Sequence, residues 1–180
     1  MHQSASAEPS RAGVVAWITG IPAAGKSTFA GHARARLDAE GVAACILDGD
    51  AVRQALVPPP GYTPEARAAF YETLARLAAL LARQGLVVLV AATAHRRAYR
   101  ALARQLAPAY LEVWVRADAD AVRSRDPKGL YAASAARALS GLPGADVPYE
   151  PPAQPEVIAN GGVDEAALNS LCVAVRRVVG

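Results

Sequence analysis

The stretch VVAWITGIPAAGKST, residues 14–28, joins an unbroken apolar run to a glycine-bearing loop and the start of a helical pattern. The run at 14–19 shows no polar alternation, as expected of a parallel strand buried on both faces. After it, Gly20, Gly25, Lys26 and Ser27 fall into the spacing G-x-x-x-x-G-K-[ST]. Glycines at those positions permit a backbone path that turns N–H groups inward at phosphate oxygens, and the following helix adds the positive end of its dipole. The spacing predicts that Gly20, Ala23, Ala24, Gly25 and Thr28 line a cradle for the phosphates of ATP. Lys26 reaches the β- and γ-phosphates, and the Ser27 hydroxyl coordinates Mg²⁺. A glycine-rich turn that binds nothing is the competing reading, and the strand before and helix after the loop weigh against it.

Outward from this loop, the chain alternates strands with helices. The helical pattern from Lys26 stops at Gly41, AACIL (43–47) is a second buried strand, and a short helix begins near Asp50. VPPPGY (57–62) breaks the chain. Pro64 to Gln84 is helical with Leu74, Leu77 and Leu81 on one face, and LVVLVAA (86–92) reads as the most buried strand. A helix over 96–106, a strand at 111–115 and a short helix capped by Asp118 or Asp120 follow. EVIAN (156–160) is a fifth strand, and 163–178 closes the chain as a helix with Leu168, Leu171, Cys172 and Val175 inward. Alternation of this kind predicts an α/β fold in three layers, a five-stranded parallel sheet with helices on both faces. Residues 125–150, rich in Pro, Gly and Ala, suit a lid over the site. One domain over 13–180 follows a flexible tail at 1–12.

Composition narrows the partners. The net charge of +3 is carried almost wholly by dispersed arginines, with lysine only at 26 and 128. A small anionic ligand fits this better than nucleic acid, which calls for a basic stripe with interleaved aromatics. No apolar run reaches the roughly 20 residues that span a bilayer, and the first dozen residues have no signal-peptide core. Cys45 and Cys172, both among apolar neighbours, read as free thiols in a cytoplasmic protein.

CILDGDAVR (45–53) decides what the ATP is for. The third strand ends VAATAH without a carboxylate, so Asp48 and Asp50 are the acids at a strand's carboxyl end, where ligands of such sheets bind. One carboxylate can accept the proton of an attacking hydroxyl while its neighbour holds Mg²⁺ through water. This predicts a kinase with an alcohol acceptor, Asp48 serving as base and Asp50 on the metal and acceptor. Asp50 as a plain helix cap is the competing reading.

GIPAAGKST, LDGDAVR, RDPKGLY (125–131) and PYEPPAQPE (148–156), in that order, resemble the adenylylsulfate (APS) kinases from about residue 13 onward. The resemblance implies a P-loop kinase fold, Mg²⁺ with ATP as co-substrate, transfer to the ribose 3′-hydroxyl of a nucleotide, and often a homodimer. By matching positions it implies that Arg53 and Arg67 contact the acceptor, that Tyr62 packs on its base, and that Arg125 and Lys128 belong to the lid around ATP. Thr93 and His95, in ATAHR (92–96), line the acceptor pocket.

The acceptor half departs from the family pattern. ARAAFYET (66–73) keeps Arg67 but has Phe70 at an asparagine position and Glu72 at an arginine position. SGLPG (140–144) puts Ser140 for a lysine and Leu142 for a stacking phenylalanine. Bulk at Phe70 and a negative charge at Glu72 beside the acceptor argue against ordinary adenylyl sulfate affinity. Adenylyl sulfate, giving PAPS, is the default acceptor. The alternatives are another acceptor, such as a nucleoside diphosphoramidate or a specialised metabolite, and a non-catalytic ATP-binding regulatory module.

Overall fold

The computed structural model describes residues 12–118, 122 and 147–180. Its order is β1 (Val14–Thr19), α1 (Lys26–Ala39), β2 (Ala44–Asp48), α2 (Gly49–Ala55), α3 (Pro64–Ala82), β3 (Val87–Ala91), α4 (Arg97–Leu106), β4 (Tyr110–Arg116), β5 (Val157–Asn160) and α5 (Glu165–Val179). The expected tail falls outside the described residues except at its last position, and so does most of the expected lid.

All strand pairs are parallel, in the order β2-β3-β1-β4-β5. The central strand is therefore β1, which is buried at all six positions, and not the 86–92 run expected to lie deepest. Period-two geometry divides β1 between two cores. Val14, Ala16 and Ile18 face Phe29, Leu37, Leu168 and Leu171 of α1 and α5. Val15 and Trp17 face Phe70, Leu74 and Ala78 of α3, with Ala103 of α4. Leu168, Leu171, Cys172 and Val175 turn inward as expected, and both cysteines are free.

The buried stripe of α3 differs from the leucine face read from the sequence. Phe70, Tyr71, Leu74, Ala75, Ala78, Ala79 and Ala82 are buried, while Leu77 and Leu81 sit at the margin and Leu80 is exposed. Alanine carries the contact because a helix without long side chains can lie close to the sheet. Thr63 caps the start, its hydroxyl accepting from the Ala66 amide. Gly85, at φ 88, ends the turn after it.

A buried ion pair ties α4 to the sheet. Arg100 donates through Nε to Glu112 Oε1 at 2.7 Å, and both side chains are almost wholly out of solvent. Arg104, one turn later, holds Glu156 with two hydrogen bonds, and Glu156 also accepts from the Glu112 amide at 2.6 Å. Burial pushes the Glu156 carboxyl upward, but these donors outweigh it and hold it below the usual range.

Breaking a buried pair leaves one charge without compensation, so Glu112→Gln is expected to lower unfolding free energy by about 3–5 kcal/mol. The exposed pair Arg76–Glu72 is the control: Arg76→Ala is expected to cost about 0.5 kcal/mol or less. Urea denaturation of the two variants measures the contrast.

Candidate active site

The loop between β1 and α1 adopts the conformation its glycines allow. Gly25 is the N-cap of α1 at φ 102, and no side chain caps the helix or places an acid in its first turn. The amides of that turn are left to an external anion. Ala23 stands at φ 59, a left-handed conformation that costs a non-glycine residue roughly 1–2 kcal/mol. Lys26 folds back over the loop, its Nζ 3.1 Å from the Gly20 carbonyl and 2.9 Å from that of Ile21. The ammonium is thus parked beside the phosphate cradle.

Gly25 also packs against the turn after β5: a Cβ there would lie 2.6 Å from the Gly162 amide nitrogen. The sequence reading gave Asn160-Gly161-Gly162 no role in the site. Its signal was the glycine pair directly after a strand.

Ser27 and Asp48 meet across the sheet edge. The Ser27 hydroxyl donates to Asp48 Oδ2 at 2.5 Å, although 21 residues separate them. Asp48 Oδ1 accepts from the amides of Asp50 at 2.9 Å and Ala51 at 3.3 Å. The helix cap is therefore Asp48 and not Asp50, because α2 starts directly at Gly49. The glycine between the acids has a steric reason: a Cβ on Gly49 would meet the Ala92 Cβ at 3.3 Å. Asp50 is exposed in the first turn of α2, and Arg53 follows at i+3 on the same helix face.

Arg53 is not on a solvated helix face. It is 9% exposed, its Nη1 donates to the carbonyls of Pro60 and Gly61, and its guanidinium lies 3.9 Å from the Phe70 ring centroid and 4.6 Å from that of Tyr62. Arg67 donates through Nε to the Tyr62 carbonyl at 2.8 Å, with its guanidinium 5.4 Å from the same ring. Tyr62 itself is 60% exposed. An open aromatic face between two guanidinium groups can stack a base and attract an anion.

Two expected acceptor features are corrected. Phe70 is 3% exposed and lies in the core under Arg53, so it supports that arginine and does not line an open pocket. Glu72 is exposed and bonded twice by Arg76 one turn along α3, so its charge is neutralised on the helix surface. Both follow from the helical period, which turns Phe70 inward and Glu72 outward.

Thr93 is half-buried, and its carbonyl accepts from Thr19 Oγ1 at 2.6 Å. His95 is 4% exposed, its ring edge-on to Tyr71 and Tyr99, and its Nδ1 is sealed without a partner. Burial, then the nearby Arg67 and Arg96, push its pKa below the ordinary value of 6.5. Arg125, Lys128, Ser140 and Leu142 lie outside the described residues.

A glycine loop opening a helix, with a carboxylate held against its serine at the carboxyl edge of a parallel sheet, defines a P-loop phosphotransferase. Residues 12–160 match the model of the adenylylsulphate kinase family. The chain belongs to that family. It is 39% identical to the adenylyl-sulfate kinase of Synechococcus sp. over 149 residues, 83% of this chain and 85% of that one. With the adenylyl-sulfate kinase of Aeromonas salmonicida it shares 38% identity over 98% of this chain and 95% of that one. Its fold matches the Mycobacterium tuberculosis APS kinase CysC in complex with AMPPNP and APS, with a TM-score of 0.83 and 32% identity, covering 90% of this chain and 97% of that one.

Gly25→Ala meets both a left-handed backbone and the Gly162 amide, so it is expected to weaken ATP binding by at least about tenfold, on the scale of 1–2 kcal/mol of strain. Isothermal titration with ATP reads this directly. The pKa of His95 gives a second expectation. Above pH 6.5 the group is neutral folded or unfolded; below it the unfolded chain takes up the proton first. Stability is then lost as pH falls toward the folded pKa, by up to about 1.4 kcal/mol per pH unit. Thermal melts from pH 7.5 to about pH 5 should show a shallower acid slope in His95→Asn than in the parent. Equal slopes would remove His95 as a source of the acid sensitivity.

Proposed function

We propose that the protein is an ATP-dependent kinase that transfers the γ-phosphate to the ribose 3′-hydroxyl of adenylyl sulfate, giving PAPS and ADP. The observation that carries the mechanism is the Ser27–Asp48 hydrogen bond, which sets an acid beside the phosphate loop. Family membership supplies the acceptor. Two of the departures that spoke against adenylyl sulfate lose force, because Phe70 is core and Glu72 is paired on the surface; those at Ser140 and Leu142 lie outside the described residues.

The donor set suits Mg²⁺, a hard cation that takes a hydroxyl, phosphate oxygens and water and needs no all-protein cage. Ser27 Oγ would hold it directly and Asp48 through water, and the ion would neutralise charge on the β- and γ-phosphates. The sequence reading gave the base to Asp48 and the metal's water to Asp50. We assign them the other way round. Asp48 is held against Ser27 and by two amides of α2, which fixes it beside the phosphate loop, and Asp50 is exposed in the first turn of α2, three residues before Arg53.

Tyr62 stacks the acceptor base, and Arg53 and Arg67 draw in its anionic groups. Asp50 orients the 3′-hydroxyl and receives its proton as the new oxygen–phosphorus bond forms and the bond to the β-bridging oxygen breaks. Lys26 moves from the loop carbonyls to the β- and γ-phosphates, where charge spreads during transfer.

ADP release from Mg·ATP, coupled to a spectroscopic readout, is expected to saturate at micromolar adenylyl sulfate, and turnover on a nucleoside diphosphoramidate but not on adenylyl sulfate would overturn the acceptor. Asp50→Asn is expected to keep ATP affinity and lower kcat by at least about 10²-fold, the scale of losing a general base. Asp48→Asn is expected instead to raise the Mg²⁺ concentration needed for half-maximal rate. Full activity in Asp50→Asn with an inactive Asp48→Asn would return the base to Asp48.

A further inference from the structure

The motif PYEPP (148–152) is among the segments that mark the family most strongly, yet neither the phosphate loop nor the acid pair gives it work. In the structure it runs beside the turn that joins β3 to α4. The Glu150 carboxylate accepts from the Arg97 amide at 2.7 Å through Oε2. Arg97 is the first residue of α4, whose N-cap position is Arg96, without a side-chain cap and without an acid in the first turn. The start of α4 is thus capped from a residue 53 positions later in the chain.

The Glu150 backbone grips the same turn. Its N–H donates to the His95 carbonyl at 2.8 Å, and its carbonyl accepts from Arg100 Nη2 at 2.6 Å. The Arg97 side chain returns the contact, donating to the Pro151 carbonyl at 2.7 Å. Beside them the Tyr149 hydroxyl lies 3.0 Å from Thr19 Oγ1, which donates to the Thr93 carbonyl. Residues 149–151 therefore hold the turn at Thr93, His95 and Arg97.

That turn needs holding. Ala94 stands at φ 37, a left-handed conformation that a non-glycine residue keeps only when its surroundings over-determine it. Its carbonyl accepts from Arg100 Nη1 within the core. Thr93, directly before this strained residue, is half-buried and is expected from the sequence to line the acceptor pocket, whereas His95, directly after it, is sealed against Tyr71 and Tyr99 and does not line an open pocket.

We propose that Glu150 is a positioning residue for the acceptor: by capping α4 and holding His95, it fixes the 93–97 turn without touching ATP. The kinetic half of this inference rests on the acceptor reading above. The structural half does not.

The experiment compares the parent, Glu150→Ala and Glu150→Gln, the last of which keeps an oxygen to accept from Arg97. Amide hydrogen exchange is followed at residues 97–99 in the free protein, and steady-state kinetics are run with ATP and adenylyl sulfate. Glu150→Ala is expected to speed exchange there by about fivefold or more, the scale of a lost cap, and to raise the acceptor KM by a similar factor while the ATP KM stays put. Glu150→Gln is expected to recover most of both effects. Unchanged exchange in Glu150→Ala overturns the clamp, and a parallel rise of both KM values, or faster exchange with an unchanged acceptor KM, overturns its link to the acceptor. A parent enzyme indifferent to adenylyl sulfate would overturn the proposed function instead, and exchange at 97–99 would still decide whether Glu150 holds the turn.

Discussion

The hydrogen bond from Ser27 to Asp48 crosses a gap that the sheet itself creates. In the order β2-β3-β1, the strand that feeds the phosphate loop and the strand that carries the acids are not neighbours, and β3 lies between them. Each loop must lean over the end of β3 for the two side chains to meet. This is why the last residue of β3 and the one after it are small, Ala91 and Ala92, and why the residue between the acids is Gly49, with scarcely room for a Cβ against Ala92. A larger side chain at any of these positions would push the acid from the serine, and with it the metal-side geometry from the transferred phosphate.

The same edge is stiffened from below by charge. Arg100 gathers the Glu112 carboxylate and the carbonyls of Ala94 and Glu150 around one guanidinium. A buried arginine bonded to three oxygens is costly to desolvate, and it is weak evidence for stability as such. What it supplies here is a fixed point: a planar fork of donors lets the turn after β3 occupy only the arrangement that satisfies all three partners. The fixed turn then carries His95 into a box of Tyr71 and Tyr99, where burial pushes its pKa below the ordinary value.

The parts of this design that were legible in the sequence are those whose cause is local. Apolar runs bounded by glycine become strands, G-x-x-x-x-G-K-[ST] becomes a cradle, and the break at VPPPGY gives way to a helix from Pro64, because each pattern fixes backbone geometry within a few residues. The clamp of Tyr149 and Glu150 on Thr19, His95 and Arg97 was not legible, since its partners are 130 to 53 positions apart and no periodicity links them. The competing reading of Asp50 as the cap of α2 fails for the same kind of reason: both aspartates suit an N-cap, and only the point where β2 ends decides between them.

Arg53 shows how the support of one residue changes the reading of a whole pocket. The resemblance places Arg53 on the acceptor and leaves a bulky aromatic at Phe70 looking like an obstruction. The carbonyls of Pro60 and Gly61 draw the guanidinium inward, and once it is there it needs a floor. Phe70 supplies that floor at 3.9 Å. A cation resting on the face of a ring gains electrostatic attraction that an asparagine would have to replace with directed hydrogen bonds. The exchange of asparagine for phenylalanine therefore alters how the arginine is supported, while its charge remains beside the exposed Tyr62 ring, where an anionic nucleotide would arrive.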